Sequence, residues 1–452
     1  MSARENEASA GLLAGLCSLP ACVERIDAAW SQMNDLYPIC RSITGDGVRQ
    51  SLGRIAADVP LEITEVPSGT PVFDWEVPRE WNVREAWIED ESGRRIVDLR
   101  DHTLHLMSYS VPVDGVMTLE ELKPHLHSIP EHPEWIPYRT SYYRENWGFC
   151  LKHRVLDGLK PGRYRVHIDS TLAAGTLTYG ECVIRGESSE EVLVFTHVCH
   201  PSLCNDNLTG IALASILAGE LRRGVRPHFT YRFVFAPGTI GSITWLARNE
   251  HTVQRVRHGL VLGLLGDRGP LTYKRSRRGD AEIDRIAAHV VGGIDTKARV
   301  VDFSPYGYDE RQLCSPGFNL PVGRLTRTPN NEYAEYHSSA DNFELVDRGA
   351  LAQSLFASAS ILRVVDRNAR YLNLNPKCEP RLGKRGLFRS TGGHHPGDFE
   401  HALLWVLNQS DGSRSLLDIA ERAKLPFDLV GNAADALVGV GLLRRQESEA
   451  VP

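Results

Sequence analysis

Long apolar runs are scarce in this sequence of 452 residues, and the longest, such as residues 260–265, are far too short to cross a membrane. A transmembrane helix needs about 18 or more consecutive apolar residues. The first residues also lack a basic head followed by an apolar stretch, which is the pattern of a secretory signal. We therefore expect a soluble, cytoplasmic protein that has no membrane partner.

A surplus of positive charge is also lacking, because 51 lysines and arginines face 57 acidic residues and give a net charge of −6. Nucleic acids attract proteins through clustered positive charge, so we expect no nucleic acid partner. The nine cysteines are odd in number and scattered, with no C-x-x-C pair. Reduced thiols are therefore favoured over a disulfide framework.

Several common catalytic motifs are missing. The sequence contains no HExxH helix, no GxSxG turn, no Walker lysine loop and no GxGxxG after a predicted strand. Each of these motifs places a metal, a nucleophile or a phosphate by a known local geometry. Any catalytic site must therefore be assembled from residues that are distant in the sequence.

The N-terminal part is predicted to be helical and the next part to be β-rich. Residues 22–36 carry an amphipathic stripe, a second helix is expected after residues 44–47, and residues 41–44 form the turn between them. Short alternating stretches over residues 61–188 favour antiparallel strands. We interpret most of them as an insertion, in which the proline-rich loop at residues 130–147 has a mostly structural role.

Residues 189–365 alternate between predicted strands and helices. The strands lie at 192–195, 231–235 and 259–265, and the helices at 209–223, 241–248, 281–290 and 343–365. This alternation predicts an α/β fold, a doubly wound and mostly parallel sheet with helices on both faces. Ligands in such folds bind beyond the carboxyl ends of the strands.

The C-terminal part has the three-helix rhythm of a winged-helix module, with helices near 402–407, 415–423 and 427–443. The would-be recognition helix, residues 427–443, has two aspartates and no lysine or arginine. We therefore predict that the module serves for docking or as a cap and does not bind DNA. Because this helix is largely apolar, it could also form an interface in a homo-oligomer.

These patterns divide the chain into three predicted domains. Residues 15–72 and 180–370 form a catalytic domain, residues 73–179 a mainly β inserted domain, and residues 371–452 a linker with the winged helix.

The stretch "FTHVCHPSLCNDNLTG", residues 195–210, follows a buried-type strand and precedes a helix. His197 ends the strand, and Asp206 lies just before the helix, where the helix dipole favours an anion. A neutral imidazole and a carboxylate are natural ligands of Zn²⁺. The sequence therefore predicts a metal site at this edge of the sheet, with His200 as an alternative ligand to His197.

Further candidate ligands follow other predicted elements. His337 lies in the acid-rich loop "NEYAEYHSSADN", Asp267 follows the strand at 259–265, and Asp309 and Glu310 lie in "YGYDERQLCSPGF". All are placed where strands should end, which favours one shared site.

Cys199 and Cys204 support two rival interpretations. A thiolate beside His197 or His200 could act as a nucleophile, and the two thiols with the histidines could form a closed structural zinc site. Neither interpretation matches a common ligand spacing.

The chain resembles a bacterial family of aminopeptidase-like proteins long described as a domain of unknown function. The resemblance rests on "THVCHPSLCNDNLTG", "FAPGTIGSITWL", "LLGDRG", "YGYDERQLCSPGFNLPVG" and "EYHSSADN", and covers roughly residues 35–450. It implies a zinc-exopeptidase fold with a β insertion and a C-terminal winged helix. More distantly, the chain is similar to the co-catalytic zinc aminopeptidases of the glutamate-carboxypeptidase and transferrin-receptor type.

The distant resemblance implies zinc-assisted hydrolysis of an amide or peptide bond in a small substrate, with His197, Asp206 and His337 at the positions of metal ligands. Two features depart from it. Residues 235–242 lack the paired glutamates of those enzymes, and Cys199 stands where they have an aspartate. We therefore expect one zinc ion per chain.

With the glutamate pair missing, Glu310 and Glu335 are the candidate general bases. Asp267 or Asp309 would pair with a substrate amine. A basic stretch that includes Arg381, Lys384 and Arg385, together with Lys377 and Arg389, would hold an acidic substrate group or form a solvated linker.

Two functions of other classes remain open. One is a non-catalytic binding or scaffold protein on a degenerate peptidase fold, and the other is a DNA-binding regulator with a peptidase-like sensor domain.

Overall fold

Residues 12–387 and 397–446 are described here by a computed structural model. The α-helices in these residues are α1 (Leu19–Val23), α2 (Ile26–Leu36), α3 (Asp46–Ala56), α4 (Leu119–Leu122), α5 (His153–Asp157), α6 (Thr209–Arg223), α7 (Ile240–Arg248), α8 (Glu250–Val253), α9 (Glu282–Ile294), α10 (Glu310–Leu313), α11 (Arg348–Arg367), α12 (Asp398–Gln409), α13 (Leu416–Ala423) and α14 (Phe427–Gly439). None of these helices combines the length and apolar character that crossing a bilayer requires.

The strands of the described residues form one large sheet and several small ones. They are β1 (Glu62–Pro67), β2 (Pro71–Val72), β3 (Trp75–Glu76), β4 (Glu80–Glu89), β5 (Arg95–Asp98), β6 (Val113–Thr118), β7 (Leu126–His127), β8 (Phe149–Cys150), β9 (Arg163–Ala173), β10 (Thr176–Ile184), β11 (Glu191–His197), β12 (Thr230–Ala236), β13 (Val256–Leu262), β14 (Thr272–Lys274), β15 (Arg299–Val301), β16 (Val322–Thr326), β17 (Arg370–Asn373), β18 (Asp411–Ser415) and β19 (Leu443–Arg445).

The large sheet has eight strands in the order β1-β10-β12-β11-β13-β16-β14-β15. Its centre, β12-β11-β13-β16, is parallel, whereas β1, β10 and β14 pair antiparallel with their inner neighbours. Every residue of β11 and of β12 is buried, as expected for strands covered on both faces. The predicted α/β fold is confirmed, with antiparallel edges added to the parallel centre.

Two strands that the sequence patterns assign to the β-rich part belong to the large sheet. β1 pairs with β10, and β10 pairs with the central strand β12. The separate four-stranded sheet, β5-β4-β9-β6, lies between them in the chain. The predicted domain bounds, residues 15–72 and 180–370, place β1 with the large sheet but divide β10, whose residues 176–179 fall in the predicted insertion.

The proline-rich loop at residues 130–147 contacts the loop that carries His337. Residues 136–138 form a short antiparallel bridge to the loop around His337, in which the Tyr138 N–H donates to the His337 carbonyl at 2.8 Å and the Ser339 N–H donates to the Ile136 carbonyl at 2.8 Å. This loop therefore forms part of the wall of the candidate site, and the expectation of a mostly structural role is incomplete.

The winged-helix module is docked against the large sheet's helices. Its core residues, such as Phe427 and Leu437, belong to the same apolar cluster as Leu355 of α11. The acidic residues of α14 face arginines of α11, with Asp428 3.5 Å from Arg363 and Asp435 paired with Arg367. The winged helix therefore uses its would-be recognition helix for an internal contact.

Candidate metal centre

His197 and Asp206 meet at the carboxyl end of β11. His197 is the last residue of this buried strand, and Asp206 lies in the turn that precedes α6. The His197 Nε2 atom lies 2.8 Å from Asp206 Oδ1, and both side chains are buried. The strand end and the helix start thus bring together two residues nine positions apart.

His200 adds a second imidazole to this pair. Its Nδ1 lies 3.6 Å from Asp206 Oδ1 and has no hydrogen-bond partner although it is buried. Burial lowers the pKa of His200 to about 3, so the ring is neutral, which is the form that binds metals. A buried nitrogen without a partner and directed at a carboxylate is the expected signature of a missing ligand.

His337 completes the cluster from a distant loop. Its Nε2 lies 3.0 Å from Asp206 Oδ2. Its side chain is 32% exposed, whereas those of His197 and His200 are 3% exposed or less. His337 therefore marks the side from which a substrate can approach.

These distances fit a zinc site. Ligand bonds of about 2.0–2.1 Å in a tetrahedron place the ligand atoms about 3.4 Å apart. The three histidine nitrogens lie 2.8, 3.0 and 3.6 Å from the Asp206 oxygens. The ligand atoms that all lie within 4.8 Å of one another belong to His197, His200 and Asp206, whereas His337 approaches the other Asp206 oxygen, Oδ2.

Electrostatics favour an ionised Asp206. Burial opposes the charge, but His200, His197 and His337 hold the pKa of Asp206 well below its usual range. Behind it, Asp341 accepts hydrogen bonds from the backbone N–H groups of Asn205 at 2.6 Å and of Asp206 at 3.0 Å. Burial and the charge of Asp206 raise the pKa of Asp341 to about 8. Asp341 therefore fixes the turn that presents Asp206.

Aromatic rings enclose the histidines. Tyr308 lies 4.1 Å from the His197 ring, and Tyr336 stacks on His337 at 3.9 Å. Tyr138 of the insertion packs edge-on against His200 at 5.2 Å and against His337 at 5.1 Å. Because each ring holds an imidazole in place, the site depends on three distant segments.

The turn between β12 and α7 contains no carboxylate of its own, but the side chain of Asp309 from another loop lies against it. A side chain at Gly238 would collide with the ring of Tyr308. Asp309, which follows Tyr308 in the chain, accepts a hydrogen bond from the Thr239 N–H at 2.9 Å through one carboxylate oxygen. Its other oxygen lies 3.9 Å from His197 Nδ1. That second oxygen is buried without a hydrogen-bond partner, and burial raises the pKa of Asp309 to about 6.

Glu310 is held by cations. Its carboxylate accepts a hydrogen bond from Lys274 at 2.8 Å and one from the Tyr308 N–H at 3.1 Å, and Arg324 lies 3.8 Å away. Burial opposes ionisation, but Arg324 and Lys274 lower the pKa of Glu310. Such a carboxylate is a weak proton acceptor, so Glu310 does not suit the predicted role of general base.

Glu335 lies two residues before His337 in the chain and lines a cavity of about 660 Å³ together with Trp135, Tyr37 and Arg268. The lining of this cavity does not include His197, His200, Asp206 or His337. Among the described residues, no hydrogen bond or ion pair engages its carboxylate, while its backbone carbonyl accepts from Ser338. Of the two predicted bases, Glu335 is the one that remains free to accept a proton.

The remaining predicted residues lie apart from the cluster. The Asp267 carboxylate is used by Thr328, Gly269 and Asn205, so it braces the loop instead of facing a metal. Arg381 and Lys384 are exposed and Arg385 is half-buried, on a segment whose Leu382 packs in the main core. No contact joins these three to the histidines within the described ranges. Lys377 is exposed on the same segment, and Arg389 lies outside the described residues.

The thiol interpretations receive no support from the environment. Burial raises the pKa of Cys199 to about 12 and that of Cys204 well above its usual range. Cys199 Sγ accepts from the Gly238 N–H at 3.2 Å and lies 3.4 Å from the Tyr308 hydroxyl. Burial thus disfavours the thiolate form of both cysteines, and neither thiol belongs to the compact group of ligand atoms formed by His197, His200 and Asp206.

Sequence reasoning missed four residues of this region. Tyr138 and Arg41 come from predicted loops and turns that carry no catalytic pattern, and the Arg41 Nε donates to the His200 carbonyl at 3.1 Å. Tyr336 directly precedes the predicted ligand His337 in the sequence, and this position was the signal that could have identified it. Arg324 offered a signal, because a charged residue inside a buried strand, "VGRLT", requires a special reason.

Two family profiles cover most of the chain. Residues 30–368 match a family described as domain of unknown function DUF4910, and residues 369–445 match a winged helix-turn-helix family. A curated Clostridium acetobutylicum protein, named provisionally as a polysaccharide biosynthesis protein with an aminopeptidase-like domain, is 50% identical over 417 residues, which cover 92% of this chain and 95% of that protein.

Solved structures give the same picture of the fold. A crystal structure from Clostridium acetobutylicum, described provisionally as a peptidase, superposes with a TM-score of 0.90 at 48% identity and covers 95% of this chain and 98% of its own. A zinc aminopeptidase from Bacillus subtilis superposes with a TM-score of 0.55 at 13% identity, over 75% of this chain and 95% of its own. The second likeness establishes a shared aminopeptidase-like fold.

Proposed function

This chain belongs to the DUF4910 family and carries a C-terminal winged helix, and from this premise we propose that it is a zinc-dependent hydrolase of amide or peptide bonds. The observation that carries the proposal is the convergence of three imidazoles on one buried carboxylate, Asp206, at the edge where parallel strands end. A closed structural site would bury all its ligands, whereas His337 is partly exposed.

In the proposed reaction, His197, His200, Asp206 and His337 would hold one zinc ion. When bound, the ion supplies a Lewis acid that polarises the scissile carbonyl and makes attacking water more acidic. Glu335 accepts the proton of the attacking water and returns it to the leaving amine. Asp309 supports the His197 ring from behind, and Tyr308 and Tyr138 exclude water from the buried side.

Elemental analysis tests the metal part of this proposal. After zinc loading and desalting, the native protein should retain about one zinc per chain, and His337→Ala should lose most of it. His251→Ala, which changes an exposed histidine outside the cluster, is the matched control and should retain the metal. A native protein without zinc would contradict the proposal.

A substrate screen tests the hydrolase part. The relative's provisional link to polysaccharide biosynthesis suggests including N-acyl amino sugars beside dipeptides and simple amides. In any turnover found, Glu335→Gln should lower kcat by about 10²–10⁴-fold while zinc content stays unchanged. Glu332→Gln, which changes the exposed partner of Arg299 in the same loop, should leave kcat intact.

One observation favours a second candidate, a non-catalytic binding protein on the peptidase fold. Residues 235–242 provide no carboxylate, so the base must come from another loop. Zinc retained by the native protein together with no hydrolysis of any amide tested would move the conclusion to this candidate.

A further inference from the structure

Arg324 is a buried cation whose hydrogen-bonding capacity is mostly unused. Its side chain is 5% exposed, and its Nε and Nη2 atoms are buried without any hydrogen-bond partner. Buried donors left unpaired are costly, and more so when they carry charge. Such a guanidinium in a native fold requires an acceptor that the protein itself does not provide.

The neighbouring acids do not meet this need. Glu310 is the carboxylate nearest to Arg324, at 3.8 Å from Nη1, and it is already engaged by Lys274 and by the Tyr308 N–H. Asp309 is directed to Thr239 and His197 instead. The two N–H edges of Arg324 that face no partner therefore remain available to another oxyanion.

The sheet register places Arg324 near the metal centre. Phe195 of β11 pairs with Val261 of β13, which pairs with Arg324 of β16. Two strand spacings of about 4.8 Å thus separate Arg324 from the strand that ends at His197.

Several buried atoms of this region lack hydrogen-bond partners, although others, such as Trp87 Nε1 and Ser410 Oγ, lie elsewhere in the described residues. His200 Nδ1, Asp309 Oδ2, Arg41 Nη2 and the two Arg324 nitrogens all lack partners. Active sites keep such groups unpaired because substrate and metal supply the missing partners. The metal accounts for His200, whereas a cation such as Arg324 calls for an anionic group.

We propose that Arg324 anchors an oxyanion of the substrate, a carboxylate or a phosphate close to the scissile amide. The guanidinium fork offers two parallel N–H groups, which is the geometry that oxyanions accept in a bidentate manner. This inference rests on the proposed hydrolase function and specifies its substrate class as anionic amides. It assigns to Arg324 the role that the sequence patterns gave to Arg381, Lys384 and Arg385.

Calorimetric binding to the full-length protein, with and without zinc, tests the anchor. The probes are N-acetylglycine, its neutral analogue N-acetylglycinamide, and inorganic phosphate. We expect at least one oxyanion to bind about tenfold or more tightly than the neutral amide, and Arg324→Met to abolish this preference. Arg381→Met, which removes an exposed arginine outside the cluster, should preserve it.

The choice of probes distinguishes a carboxylate from a phosphate ligand, and it also distinguishes failure of the anchor from failure of the hydrolase proposal. Preference for N-acetylglycine supports a carboxylate substrate, and preference for phosphate supports a phosphorylated one. Equal binding of the charged and neutral probes to the native protein would overturn the anchor, and this result does not depend on whether Arg324→Met folds. Anion binding that persists in Arg324→Met would also overturn it, because zinc alone would then account for the binding. Arg324-dependent binding without any amide turnover would contradict the hydrolase but not the anchor.

Discussion

At the residue scale, Asp309 illustrates how one carboxylate can serve a site without touching its metal. One oxygen is fixed by the Thr239 N–H, and the other faces His197 Nδ1 at 3.9 Å. Histidine ligands commonly point their second nitrogen at a carboxylate, which orients the ring and strengthens the metal bond. The Asn207 side-chain amide lies 3.3 Å from the same His197 nitrogen, and we expect Asp309 to help it orient the ring.

Asp309→Asn should weaken zinc binding by about 10–100-fold. Asparagine can still accept the Thr239 hydrogen bond and removes an unpaired buried charge, so the unfolding temperature of the metal-free protein should not fall. Competition with a zinc-sensitive dye measures the affinity, and differential scanning calorimetry measures the stability.

The matched control is Asp302→Asn, because the Asp302 side chain is 97% exposed on the segment that leads to Asp309. It should change neither quantity. Native zinc affinity in Asp309→Asn would show that the carboxylate plays no part in orienting His197.

At the element scale, the inserted domain contributes to the metal site through one loop. Tyr138 bonds to the His337 carbonyl through its backbone and packs its ring against two imidazoles. Aromatic pairs of this kind contribute about 0.5–1.5 kcal/mol each. We therefore expect the insertion to affect metal binding as well as stability.

Tyr138→Leu should weaken zinc binding by about tenfold, since it removes two ring contacts while keeping an apolar side chain. Tyr143→Leu is the control, because Tyr143 is 51% exposed in the same loop and packs against Trp75. An equal loss of zinc affinity in both variants would indicate general loosening of the loop.

The junction between the inserted sheet and the large sheet depends on Glu80. It accepts hydrogen bonds from Arg49 of α3 at 3.1 Å and from the backbone N–H of Thr176 in β10 at 2.8 Å. Burial opposes its charge, but the hydrogen bonds from Arg49, Thr176 and Asn82 lower the pKa of Glu80 to about 2. The charged form therefore joins three elements.

Glu80→Gln should lower the unfolding temperature by about 2–4 °C at pH 7. Because the folded pKa of Glu80 lies below its ordinary value of 4.5, its stabilisation is full above pH 4.5 and is lost as the pH falls towards 2. The difference between variant and native protein should therefore shrink between pH 5 and pH 3 in thermal unfolding scans.

Glu62→Gln provides the comparison, since Glu62 is an exposed residue of β1. If the difference in unfolding temperature between Glu80→Gln and the native protein stays constant with pH, packing and not the charge of Glu80 stabilises the contact between the two sheets.

At the scale of the whole molecule, the winged helix packs against α9 and α11, two helices of the large α/β domain. Arg285 of α9 bonds to Asp418 at 2.7 Å and also to Glu421, both in α13. A side chain at Gly431 of α14 would come 2.7 Å from the guanidinium carbon of Arg367, so the two helices approach closely. The helix that reads DNA in other winged helices is engaged here in an internal interface.

The full-length protein should therefore show no salt-sensitive affinity for duplex DNA. Fluorescence anisotropy with a short random duplex at low and at physiological salt measures this, because phosphate contacts make binding fall steeply with salt. Steep salt dependence that disappears when Arg444 and Arg445, the exposed arginines of β19, are replaced by alanine would contradict the prediction.

Local patterns predicted much of the fold. The helix expected at residues 209–223 has those bounds in the structure, and the strands expected at 192–195 and 231–235 are the centres of β11 and β12. These elements carry strong periodicity or continuous burial, which depend on the local sequence. The predicted domain boundary at residue 180, by contrast, falls inside β10, because an alternating pattern does not tell which sheet a strand joins.

The sequence by itself determined the chemistry available at the site, because residue type fixes which groups can bind zinc or carry charge. It placed His197 and Asp206 at a strand end and a helix start, and local periodicity alone suffices for that. Only the tertiary structure decided which distant groups meet them. It brought Tyr138 from the insertion and Asp309 to the β12–α7 turn, tied Glu310 to Lys274, and left Arg324 unpaired. Such pairings depend on sheet order and loop packing, which arise from contacts between residues far apart in the chain.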